Sequence, residues 1–426
     1  MGGGAVTAIR RMAPKSWMTA AATRAVMKAL AAGGGAARFV GGCVRDSILG
    51  LPVGDIDIAT HEPPQRVIEL LTAAGIKALP TGIEHGTITA VVGAEHFEIT
   101  TLRLDVKTHG RRADVVFTDD WSEDAARRDL TINALSMTEG GDIHDPFGGL
   151  EDLAAGRVRF VGDAETRITE DVLRLLRFFR FHAYYGQPPA DAEGLAAAGK
   201  LAHLLPTLSG ERVWAEFRRL LCAPDPAAIF QLMADHGALG PLLVGTLWIA
   251  RLAALVEVEA NAAAAAAGDP LRRLAALIKL DETTARALAE RLRFSRRERA
   301  RLLAMAGADD SLPPDAGPRQ FRAAIYRLGT ATFRDRVVLA LAGQRAERPG
   351  TASEAEFTTA LEVSAAWPPP DLPIRGEDAV RLGLAPGPGV GQALARVEAW
   401  WIDEDFTPDR AVCLARLKAV IGGATG

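Results

Sequence analysis

Long hydrophobic runs are missing from this chain of 426 residues. Although 48% of its residues are hydrophobic, no stretch approaches the roughly 20 uninterrupted apolar residues that a membrane-spanning helix needs. The chain has only three cysteines, Cys43, Cys222 and Cys413, which are widely spaced. Such a set suits neither a disulfide framework nor a zinc cluster. These absences predict no association with a membrane and favour a reducing compartment, which we expect to be the cytoplasm.

An excess of basic charge is also missing. The formal net charge is −4, from 49 lysines and arginines against 53 aspartates and glutamates. Any contact with nucleic acid must therefore use local basic patches rather than an overall field. The N-terminal residues carry Arg10, Arg11 and Lys15 but lack the apolar core of a secretory signal. We interpret them as a ragged tail, with an organelle transit sequence as the less favoured alternative.

The pattern along the chain predicts an α/β head followed by a long helical body. The length is sufficient for two to four domains. An Ala-rich helix is expected at about 20–32, followed by a strand at 38–40. From about residue 150, helical periodicity takes over, with breaks near 220, 310 and 368. Further candidate strands, rich in β-branched or apolar residues, are Asp55 to Ala59, Thr87 to Val92, Phe97 to Leu102 and Ala134 to Met137.

The most informative segment is Gly41-Gly42-Cys43-Val44-Arg45-Asp46. Two glycines after a strand let backbone N–H groups approach a phosphate closely. The positive N-terminus of a helix that opens at Val44 adds to the attraction. Arg45 can neutralise a phosphate oxygen. The segment therefore predicts a phosphate cradle.

Two aspartates, Asp55 and Asp57, follow this segment. On a strand they point to the same face, where two carboxylates alone would repel each other. A divalent metal relieves that repulsion, and hard oxygen ligands suit Mg²⁺. In a two-metal site, one ion lowers the pKa of an attacking hydroxyl and the other stabilises a leaving pyrophosphate. Alone, the glycines would be an ordinary turn and the aspartates a solvated strand face, but their order and spacing favour the catalytic interpretation.

These motifs resemble the class II tRNA nucleotidyltransferases and their relatives, the bacterial poly(A) polymerases. The resemblance continues through Arg127 to Leu135, Asp145 to Gly149 and Glu170 to Arg174, and covers the chain from about 38 to 220. It implies an α+β fold, with a polymerase-β-like head built on a small, five-stranded mixed sheet and an all-helical neck, body and tail.

The same resemblance suggests five segments with separate roles. We expect an N-terminal tail and helix at 1–32, a nucleotidyltransferase head at 33–150, a neck that selects the nucleotide at 151–220, a body at 221–310 and an RNA-binding tail at 311–426.

The resemblance also implies the roles of the head residues. Gly42 and Arg45 contact the incoming nucleotide, while Asp55 and Asp57 are catalytic and bind Mg²⁺ as the cofactor. A third metal carboxylate is not obvious, and Glu98, on the strand expected at 97–102, is the candidate.

One further nucleotide contact in the head comes from the Arg-Arg-Asp motif. The resemblance assigns it to Arg128, with Arg127 as the alternative one position away.

The segment from Glu170 to His182 has helical apolar spacing and carries Asp171, Arg174, Arg177 and Arg180 at intervals of three. Cytosine and adenine present an exocyclic amino donor beside a ring-nitrogen acceptor, whereas uracil presents a carbonyl in place of the amino group. The pair Asp171 and Arg174 would therefore admit C or A and reject U. Alone, this pair would usually be a salt bridge on a solvated helix. The resemblance assigns it the templating role, with Arg177 and Arg180 as further nucleotide contacts.

Three other stretches bear on RNA handling. Arg103 to Arg112 is polar and basic and is interpreted as a mobile surface loop. A loop here helps full CCA-adding relatives to switch from C to A, although His109 stands where an acid is expected. The arginines between 291 and 301 could neutralise RNA phosphates or form a solvated helix face. Two segments, Leu372 to Gly376 and Gly383 to Gly391, resemble the tail that holds the tRNA elbow.

We therefore expect an enzyme that adds C, C and A to the 3′ end of tRNA without a template. Its substrates would be CTP, ATP and tRNA, and no obligate protein partner is evident. A poly(A) polymerase or a partial tRNA nucleotidyltransferase is the alternative, because the head motifs are shared. The near-neutral C-terminal region favours CCA addition, since bacterial poly(A) polymerases usually carry a long basic extension. A catalytically silent RNA-binding protein is the alternative of another class.

Overall fold

The computed structural model describes residues 10–109, 112–261, 268–307, 316–348 and 354–423. The chain folds as two separate units, Met1–Leu243 and Val244–Gly426. All the described strands lie in the first unit, and the second is helical, so the expected α+β class is confirmed. Nowhere in the described ranges does a helix combine the length and the apolar character that crossing a membrane requires.

A mixed sheet forms the centre of the first unit. The described strands are β1 (Arg10–Arg11), β2 (Ala37–Val40), β3 (Ile56–Thr60), β4 (Lys77–Gly82), β5 (Thr87–Val92), β6 (Glu95–Thr101), β7 (Arg103–His109), β8 (Arg112–Phe117), β9 (Ser136–Met137) and β10 (Asp142–His144). Eight of these strands form the sheet, in the order β1-β10-β9-β2-β3-β6-β5-β4, and β7 pairs with β8 alone. All neighbours in the sheet are antiparallel except β3 and β6, which are parallel.

The expectation of five strands in the sheet is wrong by three. The five longer strands are present, but β1, β9 and β10 extend the sheet beyond β2. β1 and β10 have only two and three residues, so no alternating pattern could reveal them. β9 was expected as part of a strand at 134–137 but has only two residues, because the 3-10 turn Thr131–Asn133 ends with its cap at Ala134.

The alternation of side chains in β3 determines which face of the sheet is open. Ile58 is fully buried and packs into the core with Phe97 of β6. Leu30 and Leu71, from two helices on that face, belong to the same core. Asp57 points to the opposite face because neighbouring residues of a strand alternate. The sheet therefore buries one face and presents the acidic residue on the other.

The stretch expected to be a mobile loop forms a β-hairpin instead. β7 pairs antiparallel with β8, with Arg103 opposite Phe117 and His109 opposite Arg112. Backbone pairing satisfies N–H and C=O groups that a surface loop would leave to water. Gly110 and Arg111 lie outside the described residues. The proposed role of this stretch in switching from C to A stays a prediction.

Helices cover the sheet and make up the rest of the first unit. The helix expected at 20–32 is observed at Ala21–Ala31, and the helix expected to open at Val44 begins two residues earlier, at Gly42. The described helices of this unit are α1 (Ser16–Thr19), α2 (Ala21–Ala31), α3 (Gly42–Leu49), α4 (Pro64–Ala73), α5 (Trp121–Ala126), α6 (Gly149–Ala154), α7 (Ala164–Glu170), α8 (Leu173–Tyr185), α9 (Ala192–Leu201), α10 (Gly210–Leu221) and α11 (Pro226–Asp235).

The second unit is built from helices among its described residues. The described helices are α12 (Ile249–Asn261), α13 (Pro270–Leu277), α14 (Glu282–Arg291), α15 (Arg296–Met305), α16 (Pro318–Leu328), α17 (Thr330–Glu347), α18 (Glu354–Ala366), α19 (Gly376–Arg381), α20 (Pro388–Asp403) and α21 (Arg410–Gly422). Ala379, Val397 and Leu417 give the last three helices a shared apolar core. The finer boundaries expected near 150, 220 and 310 stay predictions.

Buried ion pairs connect α12, α13, α15 and α17. Arg272 donates to Glu259 at 2.8 and 3.0 Å and to Asp335 at 3.2 Å. Arg301 donates to Asp335 at 2.8 and 2.9 Å and to Asp269 at 2.7 Å. Buried charges persist only when they are paired and hydrogen-bonded. Arg301, one of the arginines considered for RNA contact, is thus committed to internal ion pairs.

Candidate active site

A glycine turn links β2 to α3. Gly41 has φ 71° and precedes α3, which begins at Gly42. A Cβ atom on Gly41 would lie 3.1 Å from Nη1 of Arg128 and 3.9 Å from Oδ2 of Asp57. Glycine therefore meets two requirements here, because the backbone is left-handed and two charged side chains approach it closely. The sequence predicted a phosphate cradle from both glycines, and the resemblance assigned nucleotide contact to Gly42, but Gly41 has the tighter constraint.

The two predicted catalytic carboxylates lie beside this turn. Asp57 is in β3 and Asp55 immediately precedes that strand, and both line the same cleft as Gly41. Burial raises the pKa of the Asp57 carboxyl to about 6. The negative charges of Glu98 and Asp55 add to this effect, and the positive charge of Arg128 opposes it. The expected same-face arrangement is therefore present, and a cation would relieve the repulsion.

The donor set fits a divalent metal that also binds substrate. Among the residues that the structure describes, no three His, Cys, Asp or Glu side chains are grouped closely enough to hold a metal ion. Glu98, the candidate third ligand, lies opposite Asp57 in the β3–β6 register but completes no such group. Two carboxylates leave the remaining coordination positions to water and substrate phosphates, which is how Mg²⁺ commonly binds.

Arg45 lines the cleft, although only 6% of the residue is exposed. Hydrogen bonds hold its guanidinium group in place. Its Nε and Nη2 atoms each donate to Asp46 at 2.9 Å. Nη1 donates to the Asn133 amide oxygen at 2.6 Å, and Nη2 also donates to the Tyr185 hydroxyl at 2.7 Å. A guanidinium with this many fixed partners has little freedom of orientation.

The two arginines of the Arg-Arg-Asp motif occupy different positions. Arg128 lines the cleft and donates to the Asn133 carbonyl at 3.3 Å. Arg127 directs its guanidinium to Asp124, with bonds of 2.7 and 2.8 Å. This geometry favours Arg128 as the nucleotide contact.

The neck departs from the predicted continuous helix. α7 ends at Glu170 and α8 begins at Leu173, which leaves Asp171 in an extended conformation between them. The Asp171 carboxylate accepts from the Leu173 N–H at 3.1 Å, and such local side-chain bonds compete with helix formation. Its strong partner is Arg212, at 2.8 and 3.0 Å. Arg174 donates to Glu170 instead, so Asp171 and Arg174 do not form the salt bridge that was the alternative interpretation of this pair, and both line the cleft.

Arg177 and Arg180 of α8 also have carboxylate partners. Arg177 donates to Asp129 at 2.6 Å, and Arg180 donates to Glu216. Burial would raise the pKa of Asp129, but the charge of Arg177 and hydrogen bonds from Asn133, Arg177 and Leu130 lower it below its usual value. These pairs fix both guanidinium groups beside the cleft.

All the sequence-predicted site residues meet in one cleft of about 690 Å³ within the first unit. They are Gly42, Arg45, Asp55, Asp57, Arg128, Asp171, Arg174, Arg177 and Arg180. The lining contains seven arginines and four aspartates, so the cleft is locally basic in a chain of net negative charge. Such a concave basic lining concentrates anions.

Some cleft residues were missed by the sequence analysis. They are Asp129, Asn133, Leu173, Phe181, Arg212 and Arg219, and Gly41 of the predicted phosphate cradle completes the lining. Arg212, Glu216 and Arg219 recur at i, i+4 and i+7, which places them on one face of α10. That spacing was a readable signal. Asp129 belongs to the Arg-Arg-Asp motif, but the sequence could not predict its pairing with Arg177, because the two residues are 48 positions apart.

A mixed sheet with a glycine turn and paired aspartates defines a nucleotidyltransferase head. Residues 37–159 match the family described as the poly A polymerase head domain, and residues 191–246 match a probable RNA- and SrmB-binding site of polymerase A.

Whole-chain comparisons narrow this class. The chain is 34% identical over 391 residues to the mouse and human proteins called CCA tRNA nucleotidyltransferase 1, mitochondrial, which covers 89% of this chain and 86% of each relative. It is 41% identical over 210 residues to the CCA-adding enzyme of Leuconostoc citreum, which covers 49% of this chain and 50% of that enzyme. The chain belongs to the class II CCA tRNA nucleotidyltransferase family.

Solved structures agree with this assignment. The Bacillus stearothermophilus CCA-adding enzyme in complex with CTP superimposes with a TM-score of 0.74 at 26% identity, covering 94% of this chain and 97% of that one. The Thermotoga maritima CCA-adding enzyme complexed with tRNA has the same fold, with a TM-score of 0.65 at 20% identity, covering 93% and 94%. Enzymes of this family generally use divalent metal ions.

Proposed function

We propose that this protein adds C, C and A to the 3′ end of tRNA from CTP and ATP, without a template and with Mg²⁺. The observation that carries the proposal is the single cleft in which Asp55 and Asp57 lie beside the Gly41 turn and face Asp171 and Arg174 of the neck. The names of the relatives and the CTP complex of the bacterial enzyme support the same activity.

The cleft offers separate groups for each part of a nucleoside triphosphate. The Gly41 turn and the N-terminal end of α3 are suited to the phosphates, and Arg128 supplies positive charge beside them. Asp55 and Asp57 would hold Mg²⁺, which supplies Lewis-acid stabilisation when bound. In the reaction, the tRNA 3′ oxygen forms a bond to the α-phosphorus, pyrophosphate leaves, and the hydroxyl proton passes to solvent.

Asp171 and Arg174 are suited to read the base. A carboxylate has about four acceptor sites, so Asp171 can stay bonded to Arg212 and still accept from the amino group of C or A. Arg174 can donate to the ring nitrogen, because a guanidinium carries five N–H donors. Uracil would place a carbonyl oxygen against the Asp171 carboxylate, and this contact is unfavourable.

Extension of a tRNA that ends at its discriminator base tests the proposed function. With CTP alone, addition should stop after two residues, and ATP should then add a single A. Long A tracts would instead support a poly(A) polymerase, the alternative favoured by the match to the polymerase head domain. A folded protein that extends no RNA would be a silent RNA-binding scaffold.

Metal removal tests the cofactor. Excess EDTA should abolish C addition, and Mg²⁺ added beyond the chelator should restore it, because two neighbouring carboxylates need a cation between them and the phosphates. The measurement is the initial rate of CTP incorporation before chelation, after chelation and after readdition. Activity that survives chelation would contradict the magnesium proposal.

Arg212 offers a test of base reading. Arg212→Met should raise the KM for CTP about tenfold, because Asp171 loses a charged hydrogen-bond partner that orients it. Arg218→Met is the matched control, since Arg218 is exposed on the same helix. An equal effect of both substitutions on KM would show that general loss of charge, rather than orientation of Asp171, is responsible.

The remaining expectations of role and place also stay proposals. We infer that the helices after the head serve as neck, body and RNA-binding tail, because the chain covers 86% of the mouse and human relatives. The expected cytoplasmic location is a prediction from cysteine content, and the mitochondrial names of the mouse and human relatives keep that compartment open.

A further inference from the structure

Phe181 of α8 is surrounded by positive charge. Its side chain is buried, with 5% of the residue exposed, and it lines the cleft. The guanidinium carbon of Arg180 lies 4.2 Å from the ring centroid, that of Arg45 5.2 Å and that of Arg177 5.3 Å. All three distances are within the range of cation–π attraction. One aromatic ring therefore contacts three of the arginines that we assign to nucleotide binding.

The outer side of each guanidinium is held by a carboxylate. The pairs are Arg45 with Asp46, Arg177 with Asp129 and Arg180 with Glu216. Three like charges around one point repel each other unless something between them is attractive. The negative faces of an aromatic ring provide that attraction, which an aliphatic side chain of similar size cannot supply.

Tyr185 extends this arrangement by one turn of α8. Its ring stacks on Phe181 with centroids 5.9 Å apart, and the guanidinium carbon of Arg45 lies 4.1 Å from the Tyr185 centroid. Arg45 thus contacts two aromatic rings while it donates to the Tyr185 hydroxyl. The two rings add to the hydrogen bonds that already restrict the orientation of Arg45.

Another phenylalanine of the same helix shows what an ordinary core position looks like. Phe178 is fully buried and stacks on Phe160, with centroids 5.5 Å apart. It also contacts Phe179 edge to face. The neighbours of Phe178 in these contacts are other aromatic rings, whereas Phe181 also contacts three guanidinium groups.

We propose that Phe181 is a positioning residue whose ring holds the guanidinium groups of Arg45, Arg177 and Arg180 in the orientation that receives the nucleotide. The proposal rests on the proposed function, because it gives these arginines nucleotide-binding roles. Without the ring, each guanidinium keeps its carboxylate partner but loses the contact that sets the direction of its remaining donors. Asp55 and Asp57 lie on a different element, β3 and the residue before it, so the chemical step is affected less than binding.

The test compares Phe181→Leu with Phe181→Tyr and uses Phe178→Leu as the matched control. Phe181→Leu should raise the KM for CTP and for ATP about tenfold, with kcat within about threefold of the parent. Phe181→Tyr keeps the ring and should restore KM to within about twofold of the parent. Phe178→Leu removes a ring of equal size from the same helix and should lower the melting temperature without raising KM.

The result that overturns the proposal is an unchanged KM in Phe181→Leu. A KM that rises equally in Phe178→Leu, or that stays high in Phe181→Tyr, also overturns it, because packing of α8 would then explain the effect. Phe181→Met replaces the leucine variant if that protein does not fold.

Equilibrium binding of CTP separates this proposal from the proposed function. A parent protein that binds CTP but extends no tRNA would contradict the function, yet the same variants would still test the ring through their dissociation constants. If the parent extends tRNA and the Phe181→Leu protein binds CTP as tightly as the parent does, only the positioning role of Phe181 is contradicted.

Discussion

Replacing Asp57 with alanine is expected to lower the rate of C addition at least about a thousandfold, because a metal-binding carboxylate supports several kcal/mol of transition-state stabilisation. Asp57 lies in the cleft beside Gly41 and Arg128, and its raised pKa of about 6 reflects burial and the nearby charges of Glu98 and Asp55. Affinity for tRNA should survive, because removing a negative side chain takes away no contact to phosphate.

Single-turnover extension with CTP measures the chemical step, and a filter-binding titration measures tRNA affinity. Glu95→Gln is the matched control, since Glu95 is an exposed acid of the same sheet, on the opposite face of β6 from Glu98. Turnover of the Asp57→Ala protein within tenfold of the parent would remove the catalytic assignment. Loss of tRNA binding together with loss of turnover would indicate misfolding instead of a lost metal ligand.

Replacing Asp171 with alanine is expected to reduce discrimination between C and U roughly hundredfold, because it removes both a charged acceptor for the amino group of cytosine and the repulsion of the uracil carbonyl. The carboxylate that does this is held at 2.8 and 3.0 Å by Arg212, so it presents a defined direction to the base. Selection should weaken mainly because misincorporation of U rises.

The measurement is the ratio of kcat/KM for CTP to that for UTP on a tRNA that lacks its CCA end. Glu165→Ala is the matched control, since Glu165 lies in α7 near Asp171 in sequence but pairs with Lys200 at the surface. If discrimination is unchanged in Asp171→Ala, the templating role of this residue is lost. An equal change in Glu165→Ala would mean that the substitutions disturb α7 as a whole.

Local chemistry explains what the sequence could predict about the site. The glycine turn, the same-face aspartates and the strand at Thr87–Val92 each depend on neighbouring residues, and all are observed. The partner of Asp171 is different. Its bond to Arg212 joins residues 41 positions apart, and only the packing of α8 against α10 brings them together. Sequence spacing offered only Arg174 as a salt-bridge partner of Asp171, because that arginine is three residues away.

The break between α7 and α8 was also not readable from periodicity. Apolar spacing after Asp171 is helical, and Leu175, Leu176 and Phe179 are indeed buried. The apolar pattern shows which side chains are buried. It does not reveal that the Asp171 carboxylate accepts a hydrogen bond from the backbone N–H of Leu173 and so interrupts the helix. Asp171, which we propose reads the base, therefore lies in the link between the two helices, where its direction depends on a tertiary partner.

The separation of Asp55 and Asp57 from Asp171 and Arg174 along the chain has an evolutionary consequence. Under the proposed function, the carboxylates that support bond making lie in β3 and directly before it. The residues that choose among the bases lie at the start of α8 and in the link before it, more than a hundred residues later. A descendant gene can therefore acquire a new substrate preference through mutations in the helical region while inheriting its reactive centre unchanged. An ancestral catalytic core would in this way give rise to polymerases with different products.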